Sequence, residues 1–289
     1  MSLIQTLKIY KSLTPDQKQF VQAGEIEMQK SIPQWIKFFD PLTTFDENCD
    51  AARTKLWVIF GVSCMALFVS IFVVQFVRDG ILIASFYGFM VVWMICLIVF
   101  LRILHKNDIN DNIRNLVFPL LHVLSMEVGN KKGVKLRVNF NKKMKKDEIS
   151  EVNDESTLFK KFKEVFYEYE VLEVNCTFLD KTKLNWLVFD RIRERTRTNP
   201  RGKTKTKTKL KRKIFTQLTF NTQLYSLATP ADKIPETFGK IKQSDHKITF
   251  KNVLRQVADG KTAVIDQGEL LNVVEGSYQF LTCKEGVTL

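Results

Sequence analysis

The chain has 289 residues, with 44 lysines and arginines against 31 aspartates and glutamates, and a formal net charge of +13. This length accommodates membrane segments and one further domain with its own core. The positive charge favours an anionic partner, which would be lipid headgroups, nucleic acid or an acidic protein face. Five dispersed cysteines without a CxxC pair are typical of reduced thiols and argue against a disulfide framework.

The sequence lacks the common motifs of catalysis and metal binding. It has no P-loop, GxSxG, HExxH or dinucleotide-binding glycine pattern. The three histidines, His105, His122 and His246, are far apart and do not have the spacing of a local metal site. We therefore expect a protein that is not an enzyme and that has neither a metal nor a cofactor.

The first predicted element is a helix that begins after Thr14. Thr14 can cap the helix, Pro15 suits its first position, and Gln17 completes a capping box. We expect this helix to end near Gln29 or Lys30. The residues that precede it lack a long apolar core and a small-residue cleavage site, so a cleaved signal peptide is not expected.

A short aromatic stretch follows, in which Trp35, Ile36, Phe38 and Phe39 surround Lys37. Two interpretations are open at this point. The stretch can lie in the headgroup region of a membrane, as amphipathic segments do. It can equally pack on the soluble domain of the protein itself.

Two uncharged apolar segments come next, Leu56–Val77 with 22 residues and Ile81–Leu101 with 21. A helix needs about 20 apolar residues to cross the hydrocarbon core of a bilayer. Only Arg78, Asp79 and Gly80 separate the segments, so they must be antiparallel neighbours. The sequence therefore predicts a two-helix transmembrane hairpin rather than a pair of core helices in a soluble protein.

Small residues recur at a spacing of four in both segments, as Ala66 and Ser70 and as Ala84 and Gly88. This spacing lets two helix backbones approach closely, and we interpret it as packing within the hairpin. A contact in a homo-oligomer is the alternative. Neither segment contains an ionisable Asp, Glu, Lys, Arg or His, so an ion or proton path through the hairpin is not expected.

Positive residues flank the outer ends of the two segments, and the predicted turn has only Arg78 beside Asp79. The positive-inside bias then places both termini in the cytosol, in a bacterial inner membrane or an equivalent one. We divide the chain into an N-terminal cytosolic helical segment, residues 1–54, the hairpin, residues 55–104, and a cytosolic domain, residues 105–289.

The C-terminal domain is predicted to be α+β, with a mainly antiparallel sheet. Residues 111–128 have a helical pattern that Pro119 bends or divides, and residues 142–155 have the charge pattern of a loop. Alternating and β-branched runs predict strands, at residues 135–140, 165–179, 184–198, 203–220, 247–253, 262–266 and 278–283.

The basic ribbon, which we define as Arg191–Lys213, has twelve positive residues and one glutamate. It therefore carries +11 of the net charge of +13. Arginine or lysine alternates with threonine along both halves, and a period of two is typical of a strand. We predict a long basic β-hairpin, with a disordered basic loop as the alternative.

The predicted register of this hairpin follows from charge. A four-residue loop, Asn199–Gly202, would place Thr198 opposite Lys203 and Arg197 opposite Thr204. Every arginine would then face a threonine, whereas a slip by one residue would stack like charges, which destabilise a sheet. At the base of the ribbon, a four-residue loop at residues 180–183 would place Glu170 opposite Arg193 and Glu168 opposite Arg195.

The ribbon lysines have no predicted acidic partners, so we expect them to contact the anionic partner together with two arginines. The candidate residues are Arg197, Arg201, Lys203, Lys205, Lys207, Lys209 and Lys211. Anionic lipid is the first candidate partner. Unspecific binding to a nucleic-acid backbone is the second, since the ribbon has no aromatic residue for stacking, and an acidic protein is the third. A solvated arm without a partner remains an alternative.

The predicted function is therefore a non-enzymatic, membrane-anchored binding or scaffold protein. The alternative is an accessory subunit of a membrane transport or assembly complex, in which the hairpin makes the contact.

Overall fold

The computed structural model describes residues 3–74, 80–140, 148–155, 161–235, 238–260 and 265–284. It is α+β with a mainly antiparallel sheet and two long apolar helices, which confirms the predicted class at that level. The helices are α1 (Leu3–Ser12), α2 (Pro15–Ala23), α3 (Ile32–Val74), α4 (Gly80–Asn107), α5 (Phe118–Glu127) and α6 (Gln267–Gln279). The strands are β1 (Glu25–Ser31), β2 (Gly133–Asn139), β3 (Ile149–Asp154), β4 (Lys161–Thr177), β5 (Lys183–Thr198), β6 (Thr204–Asn221), β7 (Tyr225–Leu227), β8 (Lys240–Ser244), β9 (Lys247–Asp259) and β10 (Leu281–Cys283).

The chain forms two compact units. The helical unit comprises residues 1–23 and 38–111, and the sheet unit comprises residues 24–37 and 112–289. Residues 24–37 were expected in the N-terminal helical segment, but they belong with the sheet unit. The division of the chain at residues 54 and 104 otherwise stays a prediction.

The start of α2 has the predicted capping box. The backbone N–H of Gln17 donates to Thr14 Oγ1 at 3.3 Å, and Gln17 Oε1 accepts from the backbone N–H of Thr14 at 2.8 Å. The predicted end near Gln29 is wrong. Gly24 has a φ of +72°, which ends the helix after Ala23, and the next residues form β1.

Helices α3 and α4 are long and apolar enough to cross a membrane. Within the described residues, their contact includes two side-chain hydrogen bonds. Trp93 Nε1 donates to Ser63 Oγ at 3.2 Å, and Ser70 Oγ lies 3.3 Å from the hydroxyl of Tyr87. These polar groups therefore have partners inside the hairpin, while large apolar side chains cover its outer surface.

The four small residues predicted to pack the hairpin are not equivalent. Ser70 is half-buried and contacts α4, but Ala66, Ala84 and Gly88 are exposed. A Cβ atom built on Gly88 would meet nothing within 4 Å. The exposure of Ala66, Ala84 and Gly88 therefore does not support packing of the hairpin through these three residues.

The aromatic stretch packs on the protein itself at Trp35, which is completely buried in the sheet unit. Its indole Nε1 donates to the backbone carbonyl of Val134 in β2 at 3.0 Å. In the helical unit, Phe39 is buried against Phe20, with ring centroids 5.9 Å apart. Of the two interpretations, packing on the protein's own structure is the one observed for these residues.

The main sheet has the order β1-β2-β4-β5-β6-β9-β8. Strand β3 pairs with residues 163–167 of β4, which precede the part of β4 that pairs with β2. All of these pairs are antiparallel. The three central strands β4, β5 and β6 have 17, 16 and 18 residues, and β5 pairs with β6 along its whole length. A separate two-stranded sheet pairs β7 with β10.

The two faces of the central strands differ in burial. The even-numbered residues of β5, from Leu184 to Ile192, are buried, while the odd-numbered ones lie on the other, more accessible face. The same alternation holds in β6 from Leu210 to Phe220. One face therefore supplies the core, and the odd residues of the basic ribbon all lie on the opposite face.

Several local expectations need correction. Residues 149–154 of the predicted loop form β3, which pairs with β4, while residues 142–147 of that loop lie outside the described residues. The helical segment after residue 111 has a π-helical turn, Ile113–Val117, immediately before α5, and Pro119 lies in the first turn of α5. This position confirms Pro119 as a boundary.

The region of the last predicted strands contains helix α6 instead. Asp266 caps the helix, because its side chain accepts from the backbone N–H of Gly268 at 2.8 Å. The predicted strand at residues 262–266 lies partly outside the described residues, and residues 265 and 266 are not in a strand. The predicted strand at residues 278–283 shortens to β10, since Tyr278 belongs to α6.

Candidate anion-binding site

Strands β5 and β6 form the predicted basic hairpin. The turn contains Asn199, whose backbone N–H donates to the carbonyl of Lys203 at 3.0 Å, and Gly202, which has a φ of +77°. Arg201 and Lys203 lie in this exposed turn. The two arms are extended along their length, so in each arm the basic residues lie on one face and the threonines on the other.

The predicted register is wrong by one residue. Thr198 pairs with Thr204, and Arg197 pairs with Lys205. The loop has five residues, Asn199–Lys203, rather than four. Each arginine of β5 therefore lies opposite a lysine of β6. We call these four pairs the cation ladder; they are Arg191–Lys211, Arg193–Lys209, Arg195–Lys207 and Arg197–Lys205.

The buried face of the hairpin explains this register. Ile192 pairs with Leu210 and Val188 pairs with Ile214, and all four side chains are completely buried. A slip by one residue would turn the apolar residues of one strand to the accessible face. Burial of each such side chain stabilises by about 1.5–3 kcal/mol, whereas each stacked like-charge pair costs at most about 1 kcal/mol. The core therefore decides the register.

Two ladder arginines are neutralised by glutamates of β4. Arg191 Nε lies 2.9 Å from Glu168 Oε1, and Arg195 forms an ion pair with Glu164. Arg191 also contacts Glu151 of β3 at 3.3 Å. Glutamate partners were predicted for ribbon arginines, so the kind of interaction is confirmed.

The predicted partners of these arginines are wrong. Glu170 lies opposite Phe189 rather than Arg193, and Glu168 lies opposite Arg191 rather than Arg195. The turn between β4 and β5 is longer than expected, and the pairing shifts by a further residue between Glu170 and Leu172. A charge pattern alone does not reveal such a bulge.

The ladder lysines have no comparable partners. Within the described part of the chain, no ion pair is formed by the lysines of the candidate set, Lys203, Lys205, Lys207, Lys209 and Lys211. All five are exposed. The unneutralised positive charge of the hairpin is therefore concentrated on β6 and its turn.

Aromatic residues of β4 contribute to the basic face, which the sequence reasoning missed. The guanidinium carbon of Arg191 lies 4.8 Å from the ring centroid of Phe166, and those of Arg195 and Arg197 lie 5.3 and 5.4 Å from that of Phe162. Phe162 and Phe166 are four positions apart, which places both rings on one face of a strand, and this spacing could have revealed them.

A pocket lies at the base of the ladder, on the same face. We call it the strand-face pocket; it has a volume of about 450 Å³ and its principal lining side chains are Phe189, Arg191, Lys211, Lys213, Arg255 and Val257. They come from three neighbouring strands. Only Lys211 was among the predicted residues, because the pairing of β9 with β6 is not visible in the sequence.

A polar row lies behind the pocket, on the opposite face of the same strands, and its two central residues, Asp190 and Arg212, are buried. Tyr169, Asp190, Arg212 and Gln256 occupy adjacent positions across β4, β5, β6 and β9. Burial raises the pKa of Tyr169, and the negative charge of Asp190 raises it further. This hydroxyl therefore stays protonated near neutral pH, and Asp190 and Arg212 form an ion pair beside it.

The helical unit has a separate acidic cluster that was not predicted. Carboxylate oxygens of Asp46, Asp50 and Asp111 all lie within 4.8 Å of one another. Arg53 supplies positive charge nearby, since it contacts Asp50 at 2.7 Å and Asp108 at 3.0 Å. The cluster is thus partly balanced by the protein's own arginine.

Comparison of the chain with protein-family models, with curated proteins and with solved structures found no match. The function must therefore be inferred from the residues of this chain.

Proposed function

We propose that this protein is a membrane-anchored, non-enzymatic binding protein whose basic ribbon binds the anionic surface of a bilayer. In this proposal, α3 and α4 cross the membrane, and both termini lie in the cytosol. The observation that carries the proposal is the cation ladder, in which eight basic residues lie in opposed pairs on one face of a hairpin.

The apolar outer surface of the two helices α3 and α4 supports membrane insertion. Phe68 of α3 is 60% exposed and Phe89 of α4 is 66% exposed, and they have many apolar neighbours along both helices. Exposure of such surface to water costs about 25 cal/mol per Å². A hydrocarbon environment removes that cost.

The distribution of charge supports an anionic partner. The lysines of β6 are exposed, lie opposite arginines and form no ion pair within the described residues. Each basic residue gains about 1 kcal/mol near an anionic lipid surface. An anionic partner would therefore both neutralise the ladder and remove the repulsion between its strands.

Two observations favour lipid over nucleic acid. First, only four residues of chain separate the end of α4 at Asn107 from Asn112, where the sheet unit resumes, so a membrane anchor would keep the ribbon's effective concentration at the bilayer high. Second, arginines already stack on Phe162 and Phe166, so these rings are not open for stacking with bases.

The proposal can be tested with the full chain in nanodiscs of neutral lipid, which leave the ribbon free to bind added vesicles. The unaltered protein is expected to bind vesicles that contain phosphatidylglycerol and not vesicles of phosphatidylcholine alone. Substitution of Lys205, Lys207, Lys209 and Lys211 by alanine is expected to weaken binding by about fivefold for each charge removed.

A matched control removes four exposed lysines that lie outside the ladder, Lys240, Lys242, Lys247 and Lys251. This variant has the same net charge as the ladder variant and is expected to bind almost normally. Equal loss of binding in both variants would assign the effect to net charge. If the protein binds a single-stranded oligonucleotide but not anionic vesicles, lipid is the wrong partner and nucleic acid is the right one.

A further inference from the structure

We propose that the strand-face pocket binds a phosphomonoester, the doubly charged phosphate of a lipid headgroup such as that of phosphatidic acid. This inference rests on the proposed function and adds a specific site to it. The ladder supplies general attraction to an anionic surface, and the pocket supplies a preference for one headgroup chemistry.

The pocket has a regular geometry because its side chains occupy two adjacent rows of the sheet. Phe189, Lys213 and Arg255 lie side by side in one row, and Arg191, Lys211 and Val257 in the next. Neighbouring strands are about 4.8 Å apart, and successive residues on one face are about 6.8 Å apart along a strand. Four cationic side chains therefore converge on an area the size of one headgroup.

The charge of the pocket is largely uncompensated. Glu168 also lines it, but this carboxylate is engaged by Arg191 at 2.9 Å. Within the described residues, Lys211, Lys213 and Arg255 form no ion pair. Lys213 lies directly opposite Arg255, and Lys211 directly opposite Arg191, so the positive charges repel one another until an anion binds.

The number of cations favours a doubly charged group over a singly charged one. A phosphomonoester carries about −1.5 to −2 charges at pH 7 and has three strong acceptor oxygens. A phosphodiester carries one charge and has fewer free oxygens. Three unpaired cations at adjacent positions can each donate to a separate oxygen of a monoester, which a diester cannot match.

The two apolar residues favour an esterified phosphate over a free ion. Phe189 and Val257 occupy opposite corners of the two rows, so the cations form a band between two apolar patches. The volume of about 450 Å³ lies in the range of small-molecule sites and exceeds the space that one phosphate fills. The carbon atoms next to the ester oxygen would contact these side chains.

The test compares two vesicle compositions with equal surface charge, one with phosphatidic acid and one with phosphatidylglycerol. The full chain, in nanodiscs of neutral lipid, is expected to bind the phosphatidic acid vesicles more tightly. The pocket variant Lys213→Gln/Arg255→Gln is expected to lose that preference by at least about fivefold and to retain binding to phosphatidylglycerol. The matched control is Lys247→Gln/Lys251→Gln, on the same strand β9 but outside the pocket.

Each outcome has a separate meaning. An unaltered protein without preference, or a pocket variant that retains the preference, would overturn the pocket proposal while the proposed function stands. Failure to bind either anionic vesicle would overturn the proposed function itself. Glycerol 3-phosphate and inorganic phosphate serve as competitors in solution. Displacement of the protein from vesicles by glycerol 3-phosphate at a concentration equal to that of the accessible lipid would overturn lipid as the source of the phosphomonoester.

Discussion

Asp190 and Arg212 form a buried, two-point ion pair directly across strands β5 and β6. Arg212 Nε donates to Asp190 Oδ1 at 2.6 Å, and Arg212 Nη2 donates to Oδ2 at 2.7 Å. Both side chains are only 2% exposed. Because a planar guanidinium matches a carboxylate in one alignment, this pair and the apolar rows beside it stabilise a single register of the hairpin.

Removal of one partner of this pair is expected to be strongly destabilising. Asp190→Ala leaves the buried charge of Arg212 without its carboxylate, which costs about 3–5 kcal/mol. The loss is measured by thermal or denaturant unfolding of the full chain in detergent. The double variant Asp190→Leu/Arg212→Met is expected to recover most of the stability, because no charge is then left buried. Equal stability of the single variant and the unaltered protein would contradict this role.

Replacement of one ladder lysine by glutamate is expected to stabilise the β5–β6 hairpin and to weaken binding to anionic vesicles. Lys205→Glu places a carboxylate opposite Arg197, which changes repulsion into attraction and stabilises by about 0.2–1 kcal/mol. Amide hydrogen exchange of β5 and β6 reports this local change, and the gain should shrink at high salt.

The control for this experiment is Thr206→Glu, which introduces a carboxylate on the threonine face opposite Thr196. The new carboxylate at position 206 has no cation directly across the β5–β6 hairpin, so this variant is expected to gain little protection against amide hydrogen exchange. A Lys205→Glu hairpin that exchanges faster than the unaltered one would show that the ladder pairs do not repel.

The stability of the sheet unit is expected to fall at low pH through Asp180. Burial alone would raise the pKa of this carboxyl, but hydrogen bonds from Tyr225, Thr182 and Tyr278 outweigh it and lower the pKa below its usual value. A lowered folded-state pKa gives stability that is complete above the unfolded pKa of about 3.9 and is lost as pH falls through the folded value.

Substitution of Asp180 tests the same set of hydrogen bonds. Asp180→Ala removes the acceptor of the two tyrosine hydroxyls, at 2.7 Å each, and is expected to cost about 1.5–3 kcal/mol near neutral pH. The difference from the unaltered protein should narrow as pH falls below about 4. Asp245→Ala, at an exposed turn position, is the control. A stability difference between Asp180→Ala and the unaltered protein that stays constant from pH 7 to pH 3 would contradict this role of the Asp180 carboxylate.

A fragment that begins after the apolar hairpin is expected to fold poorly. Residues 108–289 lack β1, which pairs with β2 along seven positions, and they also lack the buried Trp35. The fragment would expose the edge of β2 and is expected to aggregate. A fragment in which residues 24–37 are joined to residues 112–289 by a flexible linker should be soluble. Equal solubility and thermal unfolding of the two fragments would show that β1 is dispensable.

The cysteines provide a test of the proposed orientation. Cys283 is exposed in β10, whereas Cys176 is buried and its pKa is raised by burial to about 12, which makes its thiol unreactive. Cys64 and Cys96 would face lipid. A membrane-impermeant maleimide is therefore expected to label Cys283 in inverted vesicles and not in intact cells, and Cys283→Ser should abolish the labelling. Labelling of Cys283 in intact cells would show that the proposed orientation is wrong and that the sheet unit lies outside the cytosol.

Local patterns were sufficient for much of the fold. The capping box at Thr14 was predictable because its residues are three positions apart and satisfy each other's backbone groups. The two apolar helices and the basic hairpin follow from composition and period alone. By contrast, β1 was missed because its strand character depends on pairing with β2, more than 100 residues later.

The candidate site divides in the same way. The basic residues of the ribbon could be named from the alternation. Their common face and the partner of each residue could not, because the predicted register placed the arginines and the lysines on opposite faces. Arg255 and Phe189 reach the pocket through strand pairings with β6, and such long-range pairings depend on burial rather than on local propensity.

The sequence by itself determined that this protein has two helices long and apolar enough to cross a membrane and a ribbon with nearly all of its net charge, because length, hydropathy and alternation are properties of the chain. Only the tertiary structure decided that arginine faces lysine in the ribbon. Burial of Ile192 against Leu210, together with the pair of Asp190 and Arg212, outweighs the repulsion on the other face.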